Sequence, residues 1–271
     1  MIFLLICFLY VAEPVLNMRE SASSDSKVVS QALFSEEVRL NNEAGELVHI
    51  TTPDNYSGWV LACALASRDE PYSGSLKVSR LAAHLYEKPD TEYGPILTLP
   101  YESRLVKLKS VDARWIQVEL PSRKVAYIQA GDVAPERGVH KKRELPSLAI
   151  RYLGLPYTWG GRSSFGYDCS GFVQMLYRQM GVLLPRNSSD QYLDTRFEDA
   201  AIEALEPGDL IFFGFSQEQI RHVGLYIGHK HFIHATVREN QPWIRLSSID
   251  DFEWSGHPDA HYPERFGRRW R

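Results

Sequence analysis

Between residues 15 and 62 the chain alternates short apolar runs with polar punctuation. The runs at 15–18, 37–40, 47–50 and 59–62 are brief or period-two, and the stretches 21–26, 41–45 and 53–58 are rich in turn-forming residues. This pattern predicts short strands joined by turns. A second set follows at 82–86, 96–99, 105–109, 115–119 and 125–128, punctuated by Lys88-Pro89-Asp90 and Leu120-Pro121-Ser122. Each set opens with a strand, passes through a polar loop (RESASSDSKV; YEKPDTEYGP) and reaches an aromatic-bearing strand (GWV; RWIQV). The result is an internal repeat with a period of roughly 70 residues. Strands at this spacing predict two small β-barrels.

The pattern changes beyond a polar, charged linker at 131–146. Residues 147–153 predict a short helix ending at Gly154. Residues 168–180 predict a stronger one, with Asp168 as N-cap and Gly181 just past the end. Cys169, Phe172, Val173, Leu176 and Met180 fall on one face of it. Strands are expected at 210–213, 222–227 and 232–235, and helices followed by strands predict an α+β domain. The apolar run 2–12 reads either as a strand or as a short signal segment. No Lys or Arg precedes it, it is shorter than the ~20 residues of a membrane span, and cleavage after Ala12 would cut into the first β-element. A strand is therefore the expectation, and stable membrane insertion is not.

At 271 residues with 44% hydrophobic and 24% charged positions, the chain has room for two or three soluble domains. A net charge of −4 and no basic stripe give no reason to expect a nucleic-acid partner. Three cysteines without CxxC spacing make neither a disulfide framework nor a thiolate zinc site. Cys7 and Cys63 read as small buried hydrophobes. Cys169 differs, because the first turn of a helix presents unpaired N–H groups and a dipole that favour the reactive thiolate. The glycines of the preceding YTWGG and FGYD would let backbone approach a substrate closely.

A nucleophilic thiol needs a base, and His222, opening the run HVGLYIG, is the candidate; His234 in the following strand is a candidate orienter. A two-residue loop at His229 and Lys230 would set Leu225 opposite His234, leaving His222 about 10 Å along the strand. The pair therefore requires a longer loop, a bulge or a strong twist. The alternative, a surface histidine at a strand end, stays open in a chain with nine histidines. His231 and His234 would point to opposite faces of a strand, so no metal site is expected there.

PYTWGG, YDCSGF, LPRNSSDQ, PGDLIFF and HVGLYIG occur in this order between residues 156 and 228. Together they resemble the NlpC-type family of papain-like cysteine peptidases, which cleave cell-wall peptides. The resemblance implies a triad of Cys169, His222 and His234 and no cofactor. The segments before it resemble two bacterial SH3-like domains. The implied fold is α+β, a papain-like peptidase domain (139–271) preceded by two small β-barrel, SH3-like domains (1–66 and 67–138). That order resembles γ-D-glutamyl-L-diamino acid endopeptidases acting on short muropeptides, in which the first SH3-like domain helps select a free N-terminal L-Ala. Substrate-binding roles then fall on Tyr157, Asp168, Ser170, Arg186 and Ser188, with Glu36 and Tyr56 from the first barrel. Asp168 would pair with the substrate ammonium group, and Arg186 would bind a carboxylate or serve a structural ion pair. The expected partner is a peptidoglycan stem peptide or muropeptide. The expected compartment is the cytoplasm, or the cell envelope if residues 1–12 act as a signal. An amidase or acyltransferase using the same triad, and a non-catalytic wall-peptide binder, are the alternative functions.

Overall fold

The computed structural model describes residues 7–135 and 138–271; the part of the N-terminal strand expected at 2–6 lies outside them. The chain divides into two compact units, 1–138 with 163–165, and 139–162 with 166–271.

The first unit holds two seven-stranded antiparallel sheets. One is built from β1 (Phe8–Val11), β2 (Val15–Arg19), β3 (Val28–Leu33), β4 (Glu37–Ala44), β5 (Leu47–Thr51), β6 (Ser57–Leu61) and β7 (Leu65–Arg68). The other uses β8 (Leu76–Val78), β9 (Ala82–Tyr86), β10 (Leu97–Pro100), β11 (Arg104–Ser110), β12 (Trp115–Glu119), β13 (Val125–Gln129) and β14 (Val133–Pro135). Their orders, β3-β2-β6-β5-β4-β1-β7 and β10-β9-β13-β12-β11-β8-β14, are the same order with every number raised by seven. The repeat in the sequence is thus a repeat of topology. Both sheets are open: among the described residues no pairing joins β3 to β7 or β10 to β14.

Each sheet has its own core. Val11, Met18, Ile50 and Val60 are buried in the first, and Val78, Leu85, Leu99, Val118 and Ile128 in the second. Between the two sheets Tyr72 is buried; its N–H donates to Tyr10 Oη at 2.9 Å and its hydroxyl to Glu119 O at 2.7 Å.

Several local expectations change. β3 was concealed because polar Ser30 and Gln31 occupy buried positions and break the alternation; Gln31 Nε2 is satisfied by Asn17 Oδ1 at 3.1 Å. The turn expected at 41–45 is mostly strand, since β4 runs on to Ala44 and only Gly45, at φ 65°, begins the reversal. The linker expected at 131–146 is shorter, because β14 pairs with β8 inside it. Cys7 and Cys63 are exposed rather than buried: each sits at a sheet margin, outside the clusters above.

The second unit is α+β. Its helices are α1 (Leu145–Ile150), α2 (Cys169–Arg178) and α3 (Ser188–Tyr192). After the two-residue pair β15 (Arg162–Ser163) and β16 (Gly166–Tyr167) come β17 (Phe197–Ala200), β18 (Leu210–Gly214), β19 (Ile220–Gly228), β20 (His231–Thr236), β21 (Trp243–Ser248) and β22 (Glu264–Trp270). The last six form one antiparallel sheet in the order β17-β22-β18-β19-β20-β21. α2 packs on β19 and β20. Its apolar face is the one expected, but its polar side is covered as well: every residue from Cys169 to Tyr177 is buried. A helix buried all round must satisfy its polar side chains internally. Gln174 does so by accepting from Arg162 Nε at 2.8 Å and donating to Leu184 O at 2.9 Å. No helix among the described residues is long and apolar enough to cross a membrane.

Candidate active site

The start of α2 is fixed by one carboxylate. Asp168 is the N-cap, with extended backbone, and its Oδ1 accepts from Gly171 N at 2.8 Å. The same oxygen takes the Ser170 hydroxyl at 3.2 Å and Arg186 Nη1 at 3.1 Å. Its Oδ2 takes Gly160 N at 3.0 Å and Arg186 Nη2 at 2.5 Å. Asp168 and Arg186 are 8% and 3% exposed, so this bidentate pair is nearly dry. Arg186 also donates to Ser170 Oγ at 2.9 Å. A Cβ on Gly171 would strike the Gly161 carbonyl oxygen. Gly171 thus lets the preceding loop lie on the start of the helix, and two of the glycines expected to admit a substrate have a packing use within that loop: a Cβ on Gly161 would strike the Gly166 carbonyl oxygen, and one on Gly166 the Thr158 hydroxyl.

Cys169 follows the cap. The backbone N–H groups of Val223 and Ser170 act on its thiol in the direction that favours the ionised form. α2 packs on β19, the strand that carries His222 and Val223. His222 and His234 are buried, with His222 Nε2 and His234 Nδ1 2.6 Å apart. The reason lies in the hairpin register. His229 and Lys230 form the two-residue turn with φ 51° and 62°, the left-handed pair of a type I′ hairpin. A bulge between Tyr226 and Gly228 then makes Ile227 an extra residue, so that Leu225 pairs with Ile233 instead of His234. Continuing that register sets Gly224 opposite His234. His222, two residues on, shares the face of His234 as a diagonal neighbour. Gly224 is required there: a Cβ would come within 2.6 Å of Phe232 Cδ2 and 3.2 Å of His234 Cβ. Trp254 packs its ring 5.1 Å from His222 and 4.7 Å from His234.

Ionisation differs from the expectation of a thiolate. Burial pushes the Cys169 thiol up to about 12, the Asp168 charge adds to the rise, and the Val223 N–H, Arg186 and the Ser170 N–H only partly oppose it. Burial brings His222 down to about 3, helped by Arg238, Arg245 and His261. His234 is held well below its ordinary value by burial, then by His222 and Arg245. Burial therefore favours the neutral thiol and the neutral imidazole in the resting site. The partial charge at a helix start is worth about 0.3–2 kcal/mol, less than the cost of an ion without water. Tyr157, half-buried in the loop, is raised by burial and then by Cys169 and Asp168, so its phenol stays a proton donor.

The remaining assigned residues divide. Ser170 is buried inside the Asp168–Arg186 cluster, and Ser188 opens α3, which packs on α2 and β19. The group that Arg186 grips is the protein's own Asp168. Asp168 already takes five hydrogen bonds, so a substrate ammonium must displace a donor to reach it. Glu36 and Tyr56 belong to the first unit: Glu36 Oε2 accepts from Leu33 N at 2.9 Å, and Tyr56 packs on that unit's first core. Sequence reasoning missed Tyr262, stacked 6.1 Å from His222 with planes 9° apart, and Ser247, 3.1 Å from His234 Nε2. It also missed Gln191, fully buried, whose Nε2 donates to Ser170 O at 3.0 Å and Pro185 O at 2.9 Å. Of these only Gln191 lay in a motif that had drawn notice.

A family model described as the NlpC/P60 family matches residues 154–257. The gamma-D-glutamyl-L-lysine dipeptidyl-peptidase of Bacillus cereus is 32% identical over 239 residues, covering 79% of this chain and 69% of that protein. The Bacillus subtilis protein of the same name is 28% identical over 229 residues, covering 78% and 73%. A crystal structure of an NlpC/P60 family protein from Bacillus cereus matches the fold with a TM-score of 0.83, at 23% identity, over 97% of this chain and 99% of that one. The matched segment carries the thiol, both imidazoles and the capping carboxylate, and the chain belongs to the NlpC/P60 family as a cysteine peptidase.

Proposed function

We propose that this protein hydrolyses the amide bond between a γ-D-glutamyl residue and an L-diamino acid in peptidoglycan stem peptides, through a thioester on Cys169. The two relatives named above act, by their names, on a γ-D-glutamyl-L-lysine linkage. The single observation that carries the proposal is the packing of α2, which begins at the buried Cys169, on β19 and β20, the strands that bear the buried His222–His234 pair. The Asp168–Arg186 ion pair lies one residue from the thiol. By resemblance, the two open sheets of the first unit are read as SH3-like modules.

The chemistry starts from neutral groups. With Nε2 of His222 directed at His234, its Nδ1 is left to take the thiol proton as sulfur attacks the carbonyl carbon. The Cys169 N–H, a helix-start donor without an intrahelical partner, and the Tyr157 hydroxyl receive the developing oxyanion. His222 then passes the proton to the leaving amine, and the C–N bond breaks to give the thioester. Water, deprotonated by the same imidazole, attacks the thioester and returns the thiol.

Incubation with L-Ala-γ-D-Glu-L-Lys, or with its diaminopimelate counterpart, should release L-Ala-D-Glu and the free diamino acid, read by mass spectrometry. Cys169→Ala and His222→Ala should abolish release, and full activity in Cys169→Ala would overturn the mechanism. An intact tripeptide alongside turnover of another amide or lipid would overturn the substrate. The proposal extends by resemblance to selection of a free N-terminus by Glu36 and Tyr56. Glu36→Gln should raise KM for the free tripeptide and leave any slow turnover of the N-acetylated form unchanged.

A further inference from the structure

The hydrogen-bond chain that begins at His222 runs past His234. His234 Nε2 lies 3.1 Å from Ser247 Oγ, and Arg245 Nη1 donates to that oxygen at 2.7 Å. Arg245 is ion-paired through Nη2 to Glu239. Register explains the convergence: His234 stands directly opposite Arg245 on β21, and Ser247 is two residues further on the same face. Ser247 is 4% exposed and His234 fully buried, so water does not compete for these contacts.

We infer that Ser247, held by Arg245, is a positioning residue for catalysis: its hydroxyl oxygen accepts from His234 Nε2–H and so keeps the Nδ1 lone pair of His234 facing His222. The inference rests on the reading of Cys169 and His222 as nucleophile and base. When His222 carries the thiol proton, both of its ring nitrogens bear hydrogen. Its Nε2–H then needs an acceptor, and the atom 2.6 Å away is His234 Nδ1. A carboxylate or amide oxygen in that third position is an acceptor by nature. An imidazole is not: with its proton on Nδ1 it would present N–H to N–H at that distance. A histidine in third place therefore needs a fourth group to choose its tautomer, and Ser247 is the group in reach of Nε2. A hydroxyl oxygen has two lone pairs, which suffices for His234 and Arg245 together. Arg245 has only donors, so it fixes the oxygen without competing as an acceptor. Its charge, with burial and His222, also opposes protonation of His234, which therefore accepts the hydrogen bond without taking the proton.

A merely structural Ser247 would affect stability and leave protons alone, so the decisive readout is the tautomer. In the full chain labelled with 15N-histidine, the His234 signals are expected to show protonated Nε2 and bare Nδ1 at neutral pH. Ser247→Ala should introduce the second tautomer and lower kcat about 10- to 100-fold with KM unchanged. Ser247→Thr, which keeps the hydroxyl, should restore most of kcat. A wild-type His234 protonated on Nδ1 would overturn the inference, as would Ser247→Ala turnover within about twofold of wild type while Cys169→Ala is dead. If Ser247→Ala does not fold, the wild-type tautomer decides alone. Activity surviving in Cys169→Ala defeats the triad reading instead, and the nitrogen shifts still report on Ser247 independently.

Discussion

Asp168→Asn separates two roles that the wild-type carboxylate combines. Asparagine caps a helix as well as aspartate does, so the bond from Gly171 N to Oδ1 should survive. At the other oxygen position the new amide N–H group faces two donors, Gly160 N–H and Arg186 Nη2. Arg186, 3% exposed, loses the charge of its bidentate partner. Breaking one side of such a pair costs about 3–5 kcal/mol. For a protein this size that lowers Tm by roughly 6–20 °C, against a typical total stability of about 5–15 kcal/mol. The thiol should respond in the opposite sense. After burial, Asp168 is the largest influence holding the Cys169 thiol up, and with that charge gone Arg186 would still pull it down. A neighbouring charge is worth about one to three pKa units, so alkylation of Cys169 by iodoacetamide at pH 8 should accelerate at least about tenfold. The variant is thus expected to be less stable, less active on peptide and more reactive to alkylation. Labelling should be quantified by peptide mapping, with the exposed Cys7 and Cys63 as internal references for the reagent. A variant melting within about 2 °C of wild type and alkylated no faster would refute the argument.

Three further outcomes follow from the same geometry. In wild type, Cys169 alkylation should climb about tenfold per pH unit from pH 6 to 10 with no plateau, and a plateau at neutral pH would show a preformed thiolate–imidazolium pair. His222, lowered to about 3, and His234, also lowered, contribute stability that is complete above their unfolded value near 6.5 and lost as pH falls toward their folded values. Between pH 6.5 and 5, above the range of ordinary carboxylates, each adds a slope of about 1.4 kcal/mol per pH unit, so urea midpoints should fall steeply there and His234→Gln should roughly halve the slope. Gly224→Ala places a methyl 2.6 Å from Phe232 Cδ2 and 3.2 Å from His234 Cβ; it should cost about 1–3 kcal/mol in urea melts and reduce kcat more than it raises KM.

How far the sequence carried the structure depended on whether a feature was local. α2 was legible because its cap, its apolar spacing and Gly181 at φ 76° are all written within fifteen residues. The repeated sheet was legible as a rhythm of strands, although its openness depends on pairings between strands far apart in the chain. The burial of α2 on every side was not legible, because Ser170 and Gln174 look like solvent-facing positions until their partners Arg186 and Leu184 arrive from later in the chain.

The imidazole pair shows most clearly what decides the site. Residues 222 and 234 are separated by a hairpin whose regular form would point the two rings to different faces. One unpaired residue, Ile227, changes the parity of everything before it on β19, and a glycine opposite His234 leaves the space that the second ring needs. Neither is a catalytic group, and neither carries a signal that distinguishes it from other residues in HVGLYIG. The charge state has the same origin. A helix start favours a thiolate in isolation, yet here burial by later segments of the chain, together with the carboxylate of the preceding residue, outweighs it. The sequence therefore names the reacting atoms, whereas their protons are placed by residues such as Ser247 and Arg245, which in a strand of alternating polar and apolar positions look like ordinary surface.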